Sequence, residues 1–400
     1  MSLPSNQEIR GPAAANGQPS RAHAPAAAAP LNSDPEWRRT EYASLGLDRL
    51  AGSGRGAGVD GSDLSISAPA GVTVVTLEDA LRSPRLSVQA RRVLGADAVA
   101  SYAKIQSLSR ALARKEMLVF IPPAASGAET VVRVTARASG DFSFPRFSIF
   151  AAPESRAAVV EEHVGLPGDR KAPTVVSFSN LFLGAGANVR HLYTQDLPES
   201  AKTFWRQTVE SEASSTLSHA SLLLGGALHK SDLEVRLRGV GAVASLWGAL
   251  MGAGTQKFDF HSRQIHHAPK TQSRLLFNAA LKDRSRAVYT GLIRIEKTAG
   301  DSDAYQENHN LLLSDTARAD TTPLLEILTD SVRCKHGATA GAPDPEDLFY
   351  VESRGLSPEE AQETLILGFF APLLGQIHSP ELAGKLESRV AQKLRGGLPS

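Results

Sequence analysis

Cys334 and His336 stand one residue apart in Val332-Arg-Cys-Lys-His-Gly-Ala-Thr339, and Cys334 is the chain's one cysteine. If this segment is a strand, both side chains leave the same face, with Cα atoms about 6–7 Å apart. A thiolate and an imidazole so placed can serve a metal, or act as a nucleophile and its base. As a metal site the pair is two ligands short of a tetrahedral set, so other residues, a substrate or another chain must complete it. The competing reading is a buried cysteine acting as a small hydrophobe beside an exposed histidine.

Further nitrogen donors are His261, His266, His267 and His309. Adjacent residues of a strand face opposite ways, so at most one of His266 and His267 reaches any one site. Each of these four is read as structural. Asp301 and Asp303 share a face if extended, as a glycosidase pair would. They follow Thr298-Ala-Gly300, however, where an aspartate ordinarily serves the backbone of a turn. G-x-x-x-x-G-K-[ST], G-x-S-x-G and H-E-x-x-H are all missing, so no ATPase loop, nucleophile elbow or zincin helix is encoded.

The elements that would position these residues change along the chain. Residues 1–33, rich in Ala, Pro and Gly, read as a disordered tail rather than a secretory signal. Asp34-Pro35-Glu36-Trp37 reads as a helix start. Gly52, Gly54 and Ala57 fit a loose dinucleotide-loop spacing, but no apolar strand precedes them, and a linker is the reading. Leu86, Ala90, Val93 and Leu94, then Ile105, Leu108 and Leu112, carry helical spacing, so residues 34–118 read as a mostly helical N-terminal domain. From 119 to 345 the texture is short alternating segments such as Thr130–Thr135, Phe144–Phe150, Leu233–Leu237 and Val288–Ile295, punctuated by Gly, Asn, Asp and Ser. Sandwich, barrel and parallel β-helix all remain open, because no repeat of fixed length stands out. Residues 346–400 return to helix. Ser357-Pro-Glu-Glu360 is a capping box, followed by a stripe of Ala361, Leu365, Phe369, Leu373 and Ile377. Pro372 predicts a kink or stop near Ala371. Ser379-Pro380 opens a last helix with Leu382, Leu386, Val390 and Leu394 on one stripe, and Gly396-Gly397 ends it. Two such helices either dock on the β region or offer a groove to a partner.

Composition bounds the partners. The 400 residues carry 43 Lys+Arg against 42 Asp+Glu, a formal charge of +1, so charge-driven binding to nucleic acid or anionic membrane is not expected. No run of 18 apolar residues predicts a membrane span. A single thiol fits a reducing, cytoplasmic setting.

One ordered set of strings is specific: His266-His-Ala-Pro-Lys-Thr-Gln-Ser273, Tyr289-Thr-Gly291, Gln306-Glu-Asn-His-Asn-Leu-Leu-Leu-Ser314, Pro323-Leu-Leu-Glu-Ile327, Cys334-Lys-His-Gly-Ala-Thr339, Leu348-Phe-Tyr350 and Ser353-Arg-Gly355. This set resembles the SufB/SufD family of iron–sulfur cluster assembly proteins, and Pro35-Glu36-Trp37 resembles the family's N-terminal region. The Cys-x-His-Gly-Ala-Thr form is that of the SufD side, where SufB typically has Glu-His-Glu-Ala-Thr. The resemblance implies a right-handed parallel β-helix core and a non-ATPase scaffold role in a SufBCD-type complex. Its implied partners are a SufB-like chain, paired through the β-helices, and an ABC-type ATPase, SufC, docked on the C-terminal helices. It also implies that Cys334 and His336 lie at the assembly site shared with the SufB-like chain. Transient iron or an iron–sulfur cluster would be held there only in the complex, with no cofactor bound tightly by the isolated chain. The competing class is an enzyme, a parallel β-helix polysaccharide lyase or glycoside hydrolase.

Overall fold

The structure, a computed structural model, describes residues 29–30, 34, 36–50, 62–96, 100–124, 127–138, 140–165, 172–375 and 380–395. The expected tail, the Gly-rich linker, Ile377 and Gly396-Gly397 lie wholly or almost wholly outside these residues. The chain is 48% strand and 22% helix, and its core is a parallel β-solenoid of about seven turns.

Among the described residues, nine strands form one sheet and ten the other. The nine-strand sheet runs Ser62–Ser67, Thr130–Ala138, Arg156–Gly165, Asn188–Asp196, Thr216–Leu223, Val243–Gly252, Gln272–Leu281, Ser302–Leu312 and Val332–Gly341. Facing it, in the same spatial sense, are Thr73–Thr76, Glu116–Ile121, Arg146–Ala151, Thr174–Leu183, Lys202–Ser211, Leu228–Leu237, Lys257–His266, Arg286–Ile295 and Arg318–Ile327, with Phe142–Ser143 beside the fourth. Each turn of chain thus gives one strand to each sheet. The period-2 alternation puts every second residue into the lumen. Val134, Val159, Val189, Leu217, Leu246 and Phe258 are among the apolar residues that fill it.

Passing from the ten-strand to the nine-strand sheet, six successive corners carry a left-handed residue: Glu154, Gly186, Ser214, Gly241, Lys270 and Asp301. Their amides donate along the axis to the next turn, as Ser214 does to Val240 (2.9 Å) and Lys270 to Gly300 (2.9 Å). Backbone register rather than a side-chain motif therefore carries the repeat.

Helices and irregular segments cover both outer faces. Leu77–Arg82 (α1) and Ser87–Gly95 (α2) pack on Leu118, Phe150 and Phe182. Ala103–Leu112 (α3) and the Trp37–Leu47 segment lay Trp37, Tyr42, Leu45, Tyr102 and Ile105 on Phe178, Phe204 and Leu228 of the ten-strand sheet. The helix start expected at Asp34 is instead a turn, closed by Trp37 N–H to the Asp34 carbonyl (2.9 Å). The indole is stacked on Phe204 and holds this segment flat against the sheet. Residues 62–121 are not all helix: Ser62–Ser67, Thr73–Thr76 and Glu116–Ile121 join the two sheets, the first two antiparallel to their neighbours.

Pro345–Ser353 (α4) leads to Pro358–Leu374 (α5) and Pro380–Leu394 (α6). The capping box forms as expected, Ser357 Oγ accepting from Glu360 N–H and Glu360 Oε2 from Ser357 N–H. Pro372 does not stop α5 early. It sits in the last turn, and the helix runs on to Leu374. The buried stripe of α5 is Ala361, Ile366, Phe370 and Leu373, one residue out of phase with the expected Leu365 and Phe369, which are half-buried. With Leu386 and Val390 of α6 it packs on Leu222, Ala249, Met251 and Ala280, the outer face of the nine-strand sheet.

Candidate functional site

Val332–Gly341 and Arg318–Ile327 are the final strands of their sheets, and each pairs on one side alone. Two strand edges with unpaired backbone groups thus end the solenoid, a template for another chain. At the far end, the antiparallel strands Ser62–Ser67 and Thr73–Thr76 break the parallel register.

Cys334 lies in register with Ala304, and His336 with Gln306. Ala304 and Gln306 are buried lumen positions, so Cys334 and His336 point along the same inward face, as the i, i+2 spacing predicts. With no further turn over them, Cys334 is half-buried and His336 exposed. Cys334 packs against Ile293, Ile295, Ala299 and Ala304. Burial pushes its thiol up, and the Asp303 carboxylate adds to this. Alone, the thiol is protonated at neutral pH and a weak nucleophile. A metal or a cationic partner group would have to stabilise the thiolate.

Beneath His336 is a polar layer that tied no attention to itself in sequence. Gln306 Nε2–H donates to the Gly291 carbonyl (3.2 Å), and Gln264 Nε2–H reaches Gln306 Oε1 (3.5 Å). Asn308 Oδ1 accepts from Asn310 Nδ2–H (2.8 Å) and from Thr321 Oγ–H (2.6 Å), joining the two sheets. Gln306 lies one solenoid turn before His336, a relation that the strand register sets and no local sequence pattern marks.

The other sequence candidates do not converge on this pair. His266 is in the lumen, with Nδ1 on Thr271 Oγ1 (2.7 Å) and Nε2 on Ser273 Oγ (2.9 Å); burial, with His267 nearby, takes it down to about 4. His261 is on the outer face of the ten-strand sheet, 2.8 Å from Asp259 Oδ1. His309 is on the outer face of the nine-strand sheet, bonded to Thr339 Oγ1 (2.8 Å). Asp301 is the left-handed corner residue and accepts from Ser331 Oγ–H (2.8 Å), while Asp303 pairs with Arg274 (2.9 Å). The hydrolase reading therefore loses its carboxylate pair. Among the described residues, no three His, Cys, Asp or Glu side chains are placed to hold a metal ion.

Residues 133–369 match the family described as SUF system FeS cluster assembly, SufBD core domain. The chain belongs to the SufBD family. Within it, the chain is most like SufD. It is 31% identical to the iron–sulfur cluster assembly protein SufD of Escherichia coli over 253 residues, 63% of this chain and 59% of that protein. To SufD of Bacillus subtilis it is 26% identical over 294 residues, 73% of this chain and 67% of that one. The match thus spans well under the full length of the Escherichia coli relative. The SufBD match covers the turns from residue 133 onward and most of α5, with Cys334, His336 and the polar layer inside it.

Proposed function

We propose that this SufBD chain is the non-ATPase, SufD-type scaffold subunit of a SufBCD-type assembly complex and works in the cytoplasm. The uncapped end of the solenoid carries this reading. It presents two strand edges, a half-buried thiol and an exposed imidazole on one surface. A SufB-like chain abutting that end would extend both sheets and supply the ligands that Cys334 and His336 lack. Iron or a nascent iron–sulfur cluster is then cargo, ligated at the interface by thiolate and imidazole. No helix among the described residues is long and apolar enough to cross a membrane.

The SufC-like ATPase is assigned to the C-terminal helices. Their inner face is used up on the chain's own solenoid. Leu367 and Phe369 pack on that cluster in part, and what they and the half-buried Leu365 leave exposed is the surface for a partner, a helix-in-groove mode of contact.

Reconstitution with a SufB-like chain and a SufC-like ATPase, without oxygen, tests the assignment. C334S and H336A should each co-elute with both partners and build clusters at least tenfold more slowly. Parent-rate cluster building by both variants would remove the site. Failure of both to assemble would make the pair structural.

A further inference from the structure

A second polar region lies deeper in the lumen and has no part in the open-end site. Inward positions place Glu161 and His163, then His191 and Tyr193, then His219 and Ser221 on the nine-strand sheet. Thr203, Trp205 and His229 face them from the ten-strand sheet. All nine are buried. Mostly apolar layers flank the region at both ends, with Ser177, the register partner of Trp205, as a polar exception toward the antiparallel end. Toward the antiparallel end the register partners of Glu161 and His163 are Val134 and Ala136. Toward the open end those of His219 and His229 are Leu246 and Phe258, with Leu275 behind.

Glu161 organises one side. Its Oε1 accepts from Trp205 Nε1–H (2.9 Å) and lies 2.9 Å from His163 Nε2, and its Oε2 lies 3.3 Å from His191 Nε2. Burial alone would raise this carboxyl, but the two imidazoles outweigh it and hold Glu161 at about 2. A carboxylate only accepts; the two ring nitrogens lie close to it, but neither is in hydrogen-bond geometry with it. His191 Nδ1 then meets His219 Nδ1 at 2.9 Å, and His219 Nε2 meets Ser221 Oγ at 2.7 Å. Burial, followed by His191, keeps His219 neutral.

The other side is a set of polar atoms without protein partners: Tyr193 OH, Thr203 Oγ1, Gln195 Nε2, His163 Nδ1 and both ring nitrogens of His229. They belong together. His163 and Tyr193 have ring centroids 5.2 Å apart, Tyr193 and His229 6.3 Å, and Thr203 is the register partner of His229. Burial, with His163 next, takes His229 down to about 3, so its ring offers one donor and one acceptor; Asp259, on the outer face, is the further charge it feels. Native interiors rarely leave buried polar groups unmatched. Six such atoms, donors and acceptors mixed, in the interior of the solenoid fit the smallest ligand that both donates and accepts.

We infer that this buried polar region is a hydrated binding site, in which trapped water bridges Tyr193, Thr203, Gln195, His163 and His229. Buried waters of this kind make two to four hydrogen bonds each. The site is independent of the scaffold role proposed above.

The full chain, labelled with 15N-histidine and assigned by single His→Gln changes, tests it. Long-range ring spectra should show His219 and His229 neutral at pH 5.5 and exchange-independent transfer from water to the His229 ring. A His229 ring that receives no transfer from water would overturn the hydrated site. Y193F gives a second readout that needs no assignment. A bridged hydroxyl makes its removal lower the melting temperature, by about 2 °C. An unbridged one makes removal neutral or stabilising, and that result would overturn the hydrated site.

Discussion

Lys393, in the last turn of α6, donates from Nζ to the Met251 carbonyl at 2.6 Å and to Gln256 Oε1 at 2.7 Å. In return Lys282 Nζ donates to the Leu394 carbonyl at 2.5 Å, a cation on the negative end of the helix. The two lysines lock the end of the chain to the side of the solenoid. Burial is the larger effect on Lys393 and takes its amine down to about 7, more than Glu199 restores. Between about 7 and the ordinary lysine value of 10.5 the unfolded chain binds this proton and the folded one does not. Stability therefore rises with pH across that window, by at most about 1.4 kcal/mol per pH unit from this group. Denaturant unfolding at pH 7 and pH 9 should show a gain in the parent chain that K393M lacks. Equal gains in both would contradict it.

The phase of α5 separates two roles that sit on one helix. Ile366 and Phe370 are buried on the solenoid, whereas Leu365 and Phe369 are half-buried at the flank. I366D/F370D forces charges into the packed layer and should cost about 4 kcal/mol or more of stability. L365D/F369D should cost far less, about 1–2 kcal/mol, and should instead abolish co-elution with a SufC-like ATPase. Unchanged co-elution of a folded L365D/F369D chain would retire the docking assignment.

That one-residue offset shows what the sequence could and could not reveal. Positions 365, 366, 367, 369 and 370 of α5 are all apolar, so the stripe has no unique phase. Strand alternation and the Ser357–Glu360 box were legible because each depends on local chemistry. Cys334 and His336 were legible as a pair, since two residues on one strand need no tertiary information. The fold's repeat was hidden. Its corner residues are Glu154, Gly186, Ser214, Gly241, Lys270 and Asp301, which share a backbone conformation but no side-chain type, at spacings that vary from turn to turn. The lumen polar residues were hidden for a related reason. A strand with a polar residue facing in reads like one with a polar residue facing out.

Under the N-terminal segment, Asp259 binds Lys230 Nζ (2.9 Å), His261 Nε2 (2.8 Å) and Thr40 Oγ–H (2.6 Å), all buried. Tyr102 donates to Asp232 (2.7 Å), which also pairs with Arg206 and Arg263. Burial would raise these two carboxyls. For Asp259 the Lys230 charge leads in reversing that, and for Asp232 the Arg263 charge does. A carboxyl lowered in the folded state adds stability that is full above its unfolded value, about 4, and is lost as pH falls through the folded value. Acid should therefore unfold the chain below about pH 4, with Trp37 emission reporting the change. D259N leaves Lys230 buried without its carboxylate and should cost about 3–5 kcal/mol at pH 7. A D259N chain as stable as the parent would show that Thr40 and His261 suffice to hold the segment.

Gly291 and Gln306 make the last test, because they link the lumen to the surface under His336. A β-carbon built on Gly291 would lie 2.4 Å from Gln306 Nε2 and 2.5 Å from its Cδ and Oε1. Those atoms are the end of a flexible side chain, yet they are buried and engaged, Nε2–H with the Gly291 carbonyl and Oε1 with Gln264. G291A must then displace the amide and leave Gln264 without its partner. Overpacking of this kind costs about 1–3 kcal/mol. Q306S removes the obstruction but also the bonds, and should cost about 1 kcal/mol or more by itself. In the double variant the added methyl meets empty space, so the combined loss should fall short of the sum by about 1 kcal/mol. Strict additivity in equilibrium unfolding would mean that Gln306 swings clear of Gly291 at no cost. It would then be no fixed floor for His336, its register partner on the final strand.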